Sequence, residues 1–323
     1  MLTARIMTLG CCLLAIGLAA TAKAQDYPTR PIKIVVGFGP GGLGDITARA
    51  VAQKMSESLG KPVVIENMPG AGGMSAAGSV ARAAPDGHTL LLVSGQNAAS
   101  PSLFKSMPYD WANDFTTVST IGLFDFIIVV GKDSPLKNVS DLIAAAKRDP
   151  TRFNIGTISV GSVQNLSALM FASMAGLRVT TVPFRTTGEI VTALLSDQVQ
   201  VGFETTPGVL GQVQSGNLRA LGVSSDKPLP FLPDVPTVAA SGLPGFTLVS
   251  WNGFVMPAKT PRDIVLRLNR EIAKALEAPE VRERFISLGI TPRASTPEEL
   301  QRIYDADVAR WRQVIADAKI SQQ

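Results

Sequence analysis

Ile32-Lys33-Ile34-Val35-Val36-Gly37-Phe38-Gly39-Pro40-Gly41-Gly42-Leu43-Gly44-Asp45 is the stretch on which the reading of this chain turns. Its β-branched start predicts a buried strand, its glycines a tight turn, and the amphipathic segment that follows a helix over 45–59, stopped by Gly60. Glycines let a ligand approach the backbone closely, and amides at a helix start point outward with partial positive charge. A carboxylate docked there gains roughly 0.3 to 2 kcal/mol from the dipole and roughly 1.5 to 3 kcal/mol for each charge-assisted hydrogen bond. Phe38, Pro40, Gly41, Gly42, Leu43, Gly44 and Asp45 therefore form the first candidate ligand-binding set. The same loop also fits G-x-G-x-x-G through Gly37, Gly39 and Gly42, with Glu66 where a ribose-binding acid would be sought. Against a dinucleotide, Pro40 removes an amide from the middle of the loop.

Working outward, strands are predicted over 63–66 and 89–94 with a helix over 74–84 between them, which is the βαβ alternation of a parallel, doubly wound sheet. A second block of the same kind follows: a strand over 126–130, a helix from Asp141 capped by Ser140, a strand over 153–156, and a helix over 164–175. Further strands are read at 179–183 and 199–203. The repetition predicts two similar lobes. Toward the C-terminus, Thr260-Pro261-Arg262-Asp263 and Thr296-Pro297-Glu298-Glu299 each place a hydroxyl cap before a helix-compatible proline. Leu300, Tyr304, Val308, Trp311 and Ile315 then line one helix face that should pack on a lobe. Residues 225–244 read as a connector near the lobe junction.

The second block has its own strand-to-helix loop, and Ser159, Val160, Gly161, Ser162, Val163, Gln164 and Asn165 could grip the other end of a ligand held by the first. Alone, such serines and glycines are ordinary turn formers; two loops in two lobes are a more specific pattern. Glu204 and Thr205 follow a strand whose end should face the crevice, although a solvated acid opening a loop is an equal reading of Glu204. Gly70-Ala71-Gly72-Gly73 reads as a tight connection, and Trp251 as a hinge filler or a cleft wall. Catalysis has few candidates. His88 is the one histidine and sits in a turn running into a strand, and Ser159 lies in a loop one residue too long for a nucleophile elbow. No catalytic residue, cofactor or metal site is expected.

The start of the chain reads as an export signal, with Arg5, an apolar run over 6–20 and Ala22-Lys23-Ala24 at the cleavage positions, so the mature protein should begin near Gln25 in the periplasm. Cys11 and Cys12 fall inside that segment, which leaves the mature chain without thiols, disulfides or cysteine ligands. Losing Arg5 and Lys23 lowers the formal net charge from +4 to about +2, with no basic run, which argues against nucleic acid as a partner.

The residues then resemble a known family, the periplasmic substrate-binding proteins of tripartite tricarboxylate transporters, or Bug-type receptors. The resemblance runs along the mature chain. Among its carriers are Tyr27-Pro28, Phe38, Pro40-Gly41-Gly42, Asp45 with Ala48-Arg49, Glu66-Asn67, Pro69 through Gly73, Pro85-Asp86-Gly87, Pro108-Tyr109-Asp110, Gly161-Ser162, Leu218 through Leu221, Pro233 through Thr237 and Trp251. It implies an α/β fold, a two-lobed periplasmic binding protein of the type II, Venus-flytrap form, with a mainly parallel doubly wound sheet in each lobe. The implied division is a signal peptide at 1–24, lobe 1 at 25–122 and 253–323, and lobe 2 at 123–252. The implied function is non-catalytic: a monomeric receptor that captures a small di- or tricarboxylate or aromatic acid and hands it to membrane transporter subunits. A carboxylate sensor feeding a receptor kinase, and a secreted dinucleotide-dependent oxidoreductase, stand as alternatives. Relatives usually carry Pro at Gly37 and Gly39, His at Gln164, Tyr-Lys-Gly at Phe184-Arg185-Thr186 and Asp at Glu204, so the acid bound here need not be theirs.

Overall fold

The computed structural model describes residues 27–322, so the segment read as an export signal and both cysteines lie outside the described residues. Among those residues no helix is long and apolar enough to cross a membrane.

The first block forms β1 (Ile32–Val36), α1 (Leu43–Leu59), β2 (Val63–Asn67), α2 (Met74–Ala81), β3 (Thr89–Ser94), α3 (Gly95–Leu103) and the short α4 (Trp111–Asp114). Next come β4 (Phe115–Gly131), α5 (Val139–Arg148), β5 (Asn154–Ile158), α6 (Val163–Ala175), β6 (Thr180–Phe184), α7 (Thr187–Leu195), β7 (Val201–Thr205), α8 (Thr206–Gln214) and β8 (Leu218–Val223). The chain closes with β9 (Val249–Pro257), α9 (Arg262–Glu277), α10 (Pro279–Ser287), β10 (Thr291–Pro292) and α11 (Pro297–Asp317). Gly60 and Gly176 stop α1 and α6 in the left-handed conformation, as glycine does at helix ends.

The strands follow the order β2-β1-β3-β9-β4-β7-β5-β6, with β8 and β10 also on β4. Expectation and structure part here. β1 is parallel to β2 and β3, and β5 to β6 and β7, but β4 and β9 run antiparallel to their neighbours, so the sheet is mixed rather than mainly parallel. These two strands lie side by side with opposite directions, as antiparallel neighbours do, with no crossover helix closing a parallel pair. Along β4, pairing with β9 extends to Asp125↔Val249, and pairing with β7 begins at Phe126↔Thr205.

Side chains of β1 and β3 alternate between two buried clusters: Ile34, Val36, Leu90 and Leu92 face one, Val35, Leu91 and Val93 the other. Burial on both faces is why these strands read as mostly apolar runs, interrupted in β1 by Lys33. Ile128 and Val130, against Ile127 and Val129, do the same in the second block. The stripe on α11 packs as predicted, with Leu300, Tyr304, Trp311 and Ile315 in the second cluster.

Four local expectations change. β4 begins at Phe115 rather than near 126, because the polar residues of its first half are buried with their hydroxyls satisfied by a remote backbone segment. Thr117 donates to Pro297 O (2.7 Å), Ser119 to Ser295 O (3.1 Å) and Thr120 to Arg293 O (2.7 Å). The cap of α5 is Asn138, whose Oδ1 accepts from Asp141 N at 2.8 Å, while Ser140 donates to Ser241 O instead. Thr260 does not cap α9, since its hydroxyl donates to Pro257 O, whereas Thr296 does cap α11. Residues 225–244 lack long elements and pack into the second block, Leu229 and Leu232 on one cluster and Val238 and Leu243 on another.

Candidate functional site

The C-terminal ends of β1, β3, β5 and β7 converge on one cavity of about 720 Å³, the position where ligands bind in open α/β sheets. Its size lies inside the range of roughly 300–1,000 Å³ typical of small-molecule sites.

Both loops singled out in the sequence reach it. From the first come Phe38, Gly41, Gly42, Leu43 and Gly44, and from the second Ser159, Val160, Gly161, Ser162, Val163 and Gln164. Thr205 also lines the wall. Pro40, Asp45, Asn165 and Glu204 do not.

Two of those four hold the loops in shape, by the same device. Gly41 has φ +80° and donates its amide to Asp45 Oδ2 at 2.9 Å; Gly161 has φ +79° and donates its amide to Asn165 Oδ1 at 3.1 Å. In each loop a left-handed glycine is tied to an acceptor four residues on, in the first turn of the helix. Asp45 is further bonded by Arg49 Nε (2.9 Å) and by Asn67 Nδ2 (2.8 Å), and Asn67 also donates to Phe38 O. Burial pushes the Asp45 carboxyl up, but the hydrogen bonds from Arg49, Gly41 and Asn67 outweigh it and hold the group below the usual carboxylate range. Asn165 donates in turn to Thr157 Oγ1 at 3.2 Å.

What these ties leave open is the start of each helix. Gly42 gives α1 no side-chain cap, so the amides of Leu43 and Gly44, two residues of the cavity wall, have no capping side chain. In the second loop Ser162 accepts from Asn165 N, leaving the amides of Val163 and Gln164 at the start of α6.

Sequence reasoning missed the rest of the wall: among others Ser94, Gln96, Leu103, Phe104, Phe124, Thr187, Gly208, Ser250 and Asn252. A signal existed for Ser94 and Gln96. Ser94 ends β3 and caps α3 in a capping box with Asn97, so it opens a third strand-to-helix turn facing the same crevice. Gln96 Nε2 then reaches Gly161 O at 3.2 Å, and a Cβ on Gly161 would meet Leu103 at 3.0 Å, so α3 and the second loop touch across the cavity. Ser250 and Asn252 face the cavity on β9, and Trp251 between them points the other way. Trp251 is buried in the core, its Nε1 donating to Asp307 Oδ2 at 2.8 Å. His88 is buried just before β3, with Nε2 accepting from Thr29 N and Nδ1 beside Asp86.

The glycines of the first loop answer the dinucleotide reading. A Cβ at Gly37 would sit 2.8 Å from Gly73 Cα, so Gly37 lets two loops pack backbone to backbone. Glu66 pairs with Lys33 at 3.0 Å and is not part of the cavity wall.

Glu204 lies behind the wall and is fully buried rather than solvated. Oε1 accepts from Thr187 Oγ1 (3.2 Å), Oε2 accepts from Thr205 N (3.0 Å), and the Gln164 side chain also bonds it. Burial pushes its carboxyl up to about 7, against the restraining pull of these hydrogen bonds. A carboxyl raised on folding adds stability that is complete below its ordinary value and is lost as pH rises through the folded value. Denaturant unfolding of the ligand-free protein should therefore lose on the order of 3 kcal/mol from Glu204 between pH 4.5 and 7. Glu204→Gln should flatten that part of the profile, leaving the share of Asp125, which burial also raises to about 7. An unchanged slope in the variant would show that Glu204 titrates normally.

Residues 47–320 match the tripartite tricarboxylate transporter family receptor. The chain belongs to that family. BugT of Bordetella pertussis is 34% identical over 318 residues, covering 98% of each chain. Among solved structures, R. palustris Rpa4515 with adipate aligns with a TM-score of 0.83 at 32% identity, covering 92% of this chain and all of the other. MatC from Rhodopseudomonas palustris with bound malate aligns at 0.78 and 33% identity, covering 90% and 100%. The family is one of periplasmic solute-binding receptors without enzymatic activity.

Proposed function

We propose that this receptor captures a small carboxylate in the 720 Å³ cavity, closes two lobes around it and presents the closed form to the membrane subunits of a tripartite transporter. The lobes of this reading are 25–122 with 253–323, and 123–252. The chain acts as a monomer, exported by cleavage of residues 1–24. One observation carries the binding step: the starts of α1 and α6, each with its loop glycine tied back by Asp45 or Asn165, border one cavity whose wall, among the described residues, has no charged side chain. Backbone amides are then the strongest available partners for an anion, and helix starts favour negative charge. Adipate and malate, bound by the two R. palustris relatives, make dicarboxylates the first ligands to try.

Thermal unfolding with mono-, di- and tricarboxylates tests this on protein shown by mass spectrometry to be ligand-free. Binding raises stability by RT ln(1 + [L]/Kd), about 2.7 kcal/mol at a hundredfold excess over Kd. A flat response across all three classes would refute carboxylate capture.

A further inference from the structure

Behind the cavity wall lies a carboxyl that anion capture by backbone amides leaves unused. Resting on the receptor reading above, we infer that the captured acid enters together with a proton: as the anion binds, Glu204 takes up H+ from solvent, and the loaded receptor keeps it neutral.

The placement of Glu204 carries this. It is fully buried at the end of β7, and each of its hydrogen-bond partners belongs to the cavity wall. Thr187 Oγ1 donates to Oε1 at 3.2 Å, Thr205 N donates to Oε2 at 3.0 Å, and the Gln164 side chain adds a third bond. A Cβ built on Gly208, also in the wall, would lie 3.3 Å from Oε2, so the carboxyl backs directly on a lining glycine. Gln164 is in addition a first-turn residue of α6, whose amides are the proposed anion partners of the second loop. An anion held there is one side chain away from Glu204.

No cation neutralises that pair of charges. Among the described residues the wall has no charged side chain, and no titratable group faces Glu204 from the elements around it. Ile127 opposes it on β4, and α6, α8 and β5 carry no titratable residue. Asp125 on β4 is pressed instead by Asp226, and Glu189 on α7 is exposed, as is Arg185 before it. Arg219 on β8 donates to the carbonyls of Lys132, Ser134 and Leu136. Burial already raises the Glu204 carboxyl to about 7, so repulsion from a bound anion acts where it changes the charge near neutral pH. The proton is then held to higher pH with the acid bound than without it. Affinity is therefore greatest below the free value and falls as pH rises from the free value to the bound one. The site serves both states: ionised, the carboxyl only accepts and takes the donor end of the Gln164 amide. Neutral, it donates, and Gln164 can turn its amide over, accept that bond on its oxygen and keep its donor end for the anion.

Titration calorimetry with adipate, malate and any further acid that stabilises the protein thermally, at pH 7.5 in two buffers of different ionisation heat, counts the protons taken up. A bound acid should bring roughly half a proton or more with it, and its affinity should fall by about fivefold to tenfold between pH 6 and 8. Glu204→Gln should lose both effects, and Asp125→Asn should keep them. Binding without uptake and with constant affinity would overturn the inference while leaving the receptor reading intact. So would uptake that survives in Glu204→Gln, or that vanishes in Asp125→Asn, since the proton would then belong elsewhere. Binding of no acid at all, by ligand-free folded protein, would remove both.

Discussion

Gly41→Asp will weaken carboxylate binding by on the order of a hundredfold while the protein still unfolds in one cooperative step. Gly41 lines the cavity, its φ is +80°, and a Cβ built on it meets no atom within 4 Å. Aspartate and asparagine are the side chains that best tolerate a left-handed backbone, so the substitution keeps the turn. A new carboxylate about 5 Å from a bound one, at an effective dielectric of about 20, repels it by roughly 3 kcal/mol. That is about two orders of magnitude in Kd. Gly41→Asn has the same shape without the charge and should stay within about tenfold of the parent. Titration calorimetry on both variants checks the pair. Equal losses would mean that the turn, not charge, is at fault, and no loss in either would move the anion away from the first loop.

Trp251→Ala should cost about 3–5 kcal/mol of stability, read as a lower denaturant midpoint. Trp251 is among the largest fully buried side chains and sits on β9 between β3 and β4. Its loss opens a cavity in the cluster that includes Leu300, Tyr304 and Trp311. It also takes the indole donor from Asp307, which is itself 4% exposed and keeps Arg310 as a partner. Burial raises the Asp307 carboxyl, with Arg310 and the Trp251 indole pulling it back down. Trp251→Phe separates the two effects: most of the volume stays, and a loss of about 1–3 kcal/mol remains for the missing donor. If the phenylalanine variant is as stable as the parent, the indole bond contributes nothing net. If alanine is tolerated equally, the tryptophan is not a core residue.

Much of this molecule could be read before any coordinates. The first strand, turn and helix were legible because period, glycine stop and apolar content agree over one short stretch, and the loops at 38–45 and 159–165 were found for the same reason. The C-terminal stripe on α11 was equally plain, since helical spacing is a local property. Where the reading and the structure differ, a side chain answered to a partner that the reading had not assigned to it, remote in some cases and within its own loop in others. Thr117, Ser119 and Thr120 precede the strand read over 126–130, and become the buried half of β4 because the backbone near 293–297 accepts their hydrogen bonds. Asp45 and Asn165 look like ligand contacts, and turn inward to hold the glycine amides of their own loops.

Local chemistry was thus enough to indicate the class of fold and the two helix starts that border the cavity, because propensity, glycine geometry and helix polarity act over a few residues, while the family was indicated by the resemblance of short motifs along the chain. The antiparallel course of β4 and β9, the apolar part of the cavity wall and the buried state of Glu204 came from folding alone. Each depends on which remote segments come together, Phe104, Phe124 and Val160 around one cavity, and Gln164 with Thr187 and Thr205 around one carboxyl. Burial and partner choice are properties of that assembly, and no window along the chain contains them.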